Sequence, residues 1–435
     1  MTRIAAGLSA APSAADAGVE AAREAGADLG DAPVDLAFAF LSPAHLEDAL
    51  EAVEAIHSEL APRHFLGCVA QGVVGRDREL EEGPGLAVWA GSLPGAEIEC
   101  FHALALETDD FSVTGVPELE DPSLVTLLVD PFTFPIGSFL ERLNNERPGL
   151  PLVGGIAAGA GAPGSQMLIL DEEVFTEGAL GAAISGVAVK TVVSQGCAPI
   201  GHDAVITRAE GNVVFELAGK PALERLREEI ASLSPAEQAA AARGLLAGLV
   251  IDENKPDYGR GDFLIRGLLG ADEDSGALAL GETARVGQTL RFHVRDAASA
   301  AEDLQESLRG ALASKRAVGA LLFTCNGRGT NMFPAPDHDA RTVAQALGRP
   351  GVAGFFCGGE IGPVNGTNFL HSYSASLALF RAPQIVRSHP AASLTQGEAP
   401  TSGTPYSSLR TMPMMAALLP SFAALVMRSS ISLGL

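Results

Sequence analysis

Three stretches of the chain repeat one order of apolar and polar positions. Each opens on a continuously apolar run: VDLAFAF at 34–40, LVTLLVD at 124–130 and GALLFTC at 319–325. Each then passes through a turn into a segment of helical period, AHLEDALEAVEAIHSEL, PFTFPIGSFLERLNNE or DARTVAQALG. Each closes on a second short run: FLGCVAQG at 65–72, LVGGIAAG at 152–159 and FFCGGEIG at 355–362. Strand, helix and strand in this order, with no polar alternation, predict parallel βαβ units in a sheet covered on both faces. The three closing runs align without gaps as two apolar residues, a Gly/Cys pair, a variable position, Ala or Glu, another variable position and Gly. Such a repeat implies an old duplication, each copy placing a small-residue lip at the same end of a sheet.

Between the copies the pattern changes. Residues 178–226 and 261–304 alternate short β-rich runs with Gly and Pro turns, each set closing on a helix, the first starting near Pro221. These predict antiparallel strands. The expected fold class is α/β to α+β: two related domains with mixed sheets flanked by helices, built on strand-helix-strand units. The expected boundaries are 1–224, 225–381 and a flexible tail over 382–435, whose HPAASLTQGEAPTSGTPYSS has loop composition.

Composition narrows the partners. With 29 basic and 53 acidic residues the chain carries −24, which argues against nucleic acid and against an anionic membrane surface. No apolar run reaches membrane-spanning length, and the amino terminus lacks a signal-peptide core. Five scattered cysteines, 68, 100, 197, 325 and 357, show neither a zinc spacing nor a disulfide framework. A soluble, acidic, cytoplasmic protein with no metal and no cofactor is the expectation. The acid-rich ADEDSG reads as a turn, since it lacks a calcium loop and its closing glutamate.

Candidate chemistry gathers where the third copy departs from the other two. In TCNGRGTNMF a strand ends on Cys325, Asn326, Gly327, Arg328 and Gly329. A Gly-x-Gly turn can aim backbone N–H groups at an anion, and Arg328 offers a planar fork for a carboxylate. The same residues also fit a plain tight turn with its arginine in water. Cys325, flanked by N–H donors and a cation, is the candidate reactive thiol, with a lowered pKa expected. Glu360 stands where the other copies have Ala70 and Ala157, on a lip lined by Gly358, Gly359, Gly154 and Gly155. It either pairs with an arginine, Arg266 of FLIRGLLG being the alternative partner to Arg328, or binds an amine. SQGCAPIG at 194–201 reads as a β-turn with Cys197 packed inside, the alternative being a further wall of the pocket.

Taken together, VVSQGCAPIGHDAVITRAEGNVVFELAGKPALERL, DFLIRGLLG, CNGRG and GFFCGGEIGP resemble the FIST proteins, built from a FIST-N and a FIST-C domain; the likeness runs from about Arg3 to Phe380. The resemblance implies an intracellular sensory module for small ligands such as amino acids. In bacteria such modules are often fused to signalling output domains, so this chain would act through a separate output protein. The alternatives are an enzyme using Cys325 or the Glu360/Arg328 pair on a small molecule, and a protein–protein scaffold.

Overall fold

Small and large residues on opposite faces of the same strands set the layers of this protein. The computed structural model describes residues 1–106, 112–118, 122–349 and 351–382. In the strand Leu36–Leu41, LAFAFL, every residue is buried. Its alanines face helices α1 (Ala14–Leu29) and α2 (Ala49–Leu60), while Phe38 and Phe40 face a second sheet. The alanine side lets the helices sit close. A Cβ on Gly7 would fall 1.9 Å from the Ala21 carbonyl oxygen.

The first sheet has six strands and the second twelve. Phe38, Phe40 and Trp89 from the former meet Phe323, Phe355 and Phe380 from the latter in one core. On the far face of the second sheet lie helix α3 (Ile136–Glu146), a helix at 297–312 just before the third copy, and the third copy's own helix at 338–347. The order is therefore helices, sheet, sheet, helices.

All three predicted copies form. Leu36–Leu41 runs parallel to Phe65–Val69, Leu124–Val129 to Leu152–Ala157, and Ala317–Cys325 to Val352–Val364. The first helical segment is shorter than its period suggested: Pro43–His45 forms a single 3-10 turn, and α2 starts only at Ala49. One expectation fails. The second and third copies do not present their lips at a common sheet end, because Leu152–Ala157 pairs antiparallel with Val352–Val364. The lips instead overlap, Gly155 opposite Glu360 and Gly154 opposite Ile361. The third closing strand is longer than the others because an Asn365–Gly366 turn, with φ of 51° and 82°, folds Thr367–His371 back onto it.

The antiparallel segments make a seven-stranded sheet in which Cys197–Glu210 pairs with both Thr289–Arg295 and Val213–Leu217, closing a barrel. Helices α4 (Ala222–Ser232) and α5 (Pro235–Arg243) follow, α4 starting directly after Pro221 as expected and packing into the barrel core through Leu223 and Leu226. The remaining helices are α6 (Ala297–Leu312) and α7 (His338–Leu347). Apart from Ala382, the expected tail lies outside the described residues.

Candidate ligand site

The third βαβ unit ends its parallel ladder on the pair Cys325 and Cys357. Ligands of open α/β sheets gather at such carboxyl ends of strands, beyond the last ladder bonds. The loop leaving this end is tightly bonded to itself. The Asn326 N–H donates to the Cys357 carbonyl at 2.9 Å, and the Arg328 N–H to the Cys325 carbonyl at 2.8 Å. A short 3-10 turn, Gly329–Asn331, completes it, with Gly329 at φ 55°.

Two sequence expectations about this loop are corrected. Its anion is the protein's own: the Glu81 carboxylate accepts from the Thr330 N–H at 2.9 Å and from the Thr330 hydroxyl at 2.8 Å. Glu81 follows a hairpin of the first half, Val73–Gly75 and Arg78–Leu80, which inserts beside Ala353–Phe355. The Arg328 fork is likewise taken. Its Nε and Nη2 donate to Asp339 Oδ2 and Oδ1 at 2.7 and 2.8 Å, with both side chains essentially unexposed. Asp339 also accepts from the Thr324 hydroxyl at 2.7 Å. Burial alone would raise the Asp339 carboxyl, but the Arg328 charge and hydrogen bonds outweigh it and hold it well below the usual range.

Arg328 keeps one group unspent. Nη1 is buried without a partner and faces the backbone of Gly196, where an added Cβ would lie 3.1 Å away. Gly196 belongs to SQGCAPIG, so that stretch does border the site. Glu360 is fully buried beside the same space. Its Oε2 accepts from the Ser374 N–H at 3.1 Å and the Ser374 hydroxyl at 2.8 Å, while Oε1 has no partner. Burial pushes its carboxyl up to about 8, with Ser374 and then Arg328 pulling it partly back. At neutral pH it is mostly protonated. Tyr373, immediately before Ser374, holds φ 61°, a conformation that costs a bulky residue free energy and clusters at functional sites.

Cys325 lies half-buried beside Glu360. The Gly327 N–H donates to its sulfur at 3.3 Å. The expected low thiol pKa is not found. Burial first, and the Glu360 charge second, push Cys325 up to about 12, and the Gly327 and Tyr373 N–H groups and Arg328 offset this only in part. Arg266 is not part of the cluster through Glu360: its Nε and Nη2 donate to Glu282 Oε2 at 3.1 and 2.9 Å. Of the lip glycines, Gly155 packs on Cys357, Gly358 is exposed, and Gly359 sits against Leu370 and Ile156.

Sequence reasoning missed Asp339, Glu81, Ser374 and Tyr373. Asp339 had a signal, since an acid in the first turn of the next helix is the natural partner for a buried arginine. The others come from distant segments that nothing local marks. Among the described residues no group of three or more His, Cys, Asp or Glu could hold a metal ion, and no helix is long and apolar enough to cross a membrane.

Comparison with known proteins covers nearly all of this architecture. The FIST N domain matches residues 35–220 and the FIST C domain residues 222–363. An uncharacterized protein of Mycobacterium tuberculosis H37Rv is 44% identical over 382 residues, 87% of this chain and 99% of its own length. One of Mycobacterium bovis is 43% identical over 383 residues, 87% of this chain and 98% of its own.

Proposed function

The chain belongs to the FIST family, whose domains are associated with sensory and signalling roles, and on that premise we propose that it is a small-ligand sensor whose site is the Cys325–Arg328 loop facing Glu360. One observation carries the reading. Two fully buried ionisable side chains, Arg328 in the loop after Cys325 and Glu360 within the strand Val352–Val364, each leave a polar atom unpaired near the same thiol. Buried polar groups are nearly always satisfied, and each orphan costs about 1–3 kcal/mol unless something completes it. Asn326 Oδ1 is a third orphan on the same loop.

The ligand class that fits is amino-acid-like. A carboxylate completes Arg328 Nη1, and an ammonium completes Glu360, which gives up its proton as the cation arrives. Recognition needs fixed polar groups, which Arg328, Glu360 and Asn326 supply. The thiol form of the enzyme alternative would need a thiolate at Cys325, and a thiol pushed to about 12 favours recognition over nucleophilic attack; the form that uses the Glu360/Arg328 pair is decided by whether a substrate is consumed. A scaffold would use the tail at 382–435 as its handle, and apart from Ala382 that tail lies outside the described residues. Cytoplasmic placement, a separate output partner and the division into halves near 224 belong to the same proposal.

The test is thermal stabilisation of the full chain across an amino-acid panel, repeated with Glu360→Gln. A class of amino acids that raises the melting temperature of the native chain but not of Glu360→Gln supports the reading. Equal shifts for both chains place the ligand elsewhere, and no shift across the panel removes the amino-acid assignment.

A further inference from the structure

The ladder that builds the site also sets two thiols side by side. Cys325 and Cys357 are register partners on neighbouring parallel strands, and theirs is the last pair before the loop. Strands in a sheet lie about 4.8 Å apart, inside the roughly 4.4–6.8 Å Cα window of a disulfide. Register partners in a sheet point to the same face, here the face of Phe323 and Phe355 two residues earlier. We propose that Cys325 and Cys357 form a reversible disulfide, with a small peroxide as oxidant. This stands on the thiols alone and holds for any ligand chemistry at the lip.

The two sulfurs are unequal in a way that assigns the order of steps. Cys325 is half-buried at the loop and open to a small oxidant, whereas Cys357 is fully buried. In the small fraction of molecules in which Cys325 is deprotonated, which grows as pH rises, its sulfur attacks the peroxide and breaks the O–O bond; one oxygen stays as Cys325 sulfenic acid, and the other leaves as alcohol or water, taking up the proton the thiol gave up. The Cys357 sulfur then attacks the sulfenic sulfur, forms the S–S bond and expels water. Two thiols lose two electrons and the peroxide gains them.

In the reduced protein Cys357 rests turned away from this bond. Its sulfur occupies the space over Gly155, where an added Cβ would lie only 2.2 Å from it. Rotation about one side-chain bond carries it across to the Cys325 strand. Parallel register partners stand slightly wider at Cβ than a relaxed disulfide prefers, so the bond stores strain, and strained disulfides are the readily reduced ones. Linking also removes the Cys325 contact to Glu360 and draws in the residue that starts the Asn326–Arg328 loop.

The experiment is prolonged oxidation of the full native chain with excess hydrogen peroxide at pH 9, where the slow Cys325 thiol reacts faster, followed by intact mass and non-reduced peptide mapping. The expected product has lost two hydrogens, links the peptides bearing 325 and 357, and returns to the starting mass with dithiothreitol. In Cys357→Ser, Cys325 instead gains oxygen atoms, while Cys68→Ser keeps the link. Oxygen addition at Cys325 in the unaltered chain, a link to Cys68 or Cys100, a link between chains, or no change overturns the proposal. Because the unaltered chain alone decides between these, the outcome does not depend on either variant folding.

Discussion

Arg328 and Asp339 hold each other by two parallel hydrogen bonds of 2.7 and 2.8 Å in a place that water does not reach. The arginine at the centre of the candidate site is thus first a structural group. Breaking a buried pair by removing one partner costs about 3–5 kcal/mol, because the other charge is left stranded. Arg328→Ala and Asp339→Asn are each expected to lower the unfolding free energy by that order in denaturant titrations. The paired replacement Arg328→Met with Asp339→Leu is expected to recover most of the loss. Arg328→Ala is therefore unsuited as a clean binding probe.

Glu360 gives stability a pH dependence of known sign. Its native carboxyl is raised to about 8, so between its unfolded value near 4.5 and pH 8 the native state holds a proton that the unfolded state has lost. Its contribution is fully present below the unfolded value and is lost as pH rises through 8. Glu79, raised to about 8 by burial and then by Asp339, acts in the same direction. Comparison with Glu360→Gln cancels the Glu79 part. The stability of the native chain minus that of Glu360→Gln is expected to fall from pH 5 to pH 8, at most about 1.4 kcal/mol per pH unit. Chemical denaturation at several pH values reads it, and a flat difference contradicts the burial of a neutral acid.

Cys325 is expected to be a slow thiol. Pushed to about 12, it is almost wholly protonated at neutral pH. Iodoacetamide labelling of the native chain should therefore run far below the rate of the urea-unfolded chain, and should climb with pH without levelling off by pH 9. A plateau near neutral pH would show a thiolate there.

Gly196→Ala tests the wall opposite the loop. A Cβ there would lie 2.3 Å from the Tyr373 carbonyl oxygen and 3.1 Å from Arg328 Nη1. The backbone must shift, at a cost of about 1–3 kcal/mol by analogy with overpacked cores. Any ligand contact to Nη1 should weaken with it, and calorimetric titration with the amino acid that stabilises the native chain reads both effects.

Much of the fold was legible because burial on two faces leaves a periodic trace. LAFAFL, LVTLLV and GALLF announce strands without any knowledge of their partners, and the helices between them follow from period. The direction in which copies join was not legible, since antiparallel pairing of Leu152–Ala157 with Val352–Val364 depends on contacts 200 residues apart in the chain. The site was half legible. Glu360 stood out as a carboxylate in a methyl position, and it is buried as that contrast implied. The properties of Cys325 were not legible, because a thiol pKa depends on how deeply the sulfur sits, and the neighbours in sequence that favour a thiolate are outweighed by desolvation.

The central sheet reads the same from either end. From Ser374–Arg381 inward come an antiparallel pairing, the parallel pair of the third copy, the antiparallel seam, the parallel pair of the second copy, and an antiparallel pairing to Ala179–Ser185. That palindrome is the arrangement two identical subunits adopt about a two-fold axis, here drawn into one polypeptide. Only one member of the pseudo-dimer carries an acid at this position of the seam, Glu360, while its symmetry mate is Ala157. Each half supplies the strand that covers the other's open edge. Halves produced as separate polypeptides are therefore expected to find one another through this seam, and to be sticky when kept apart.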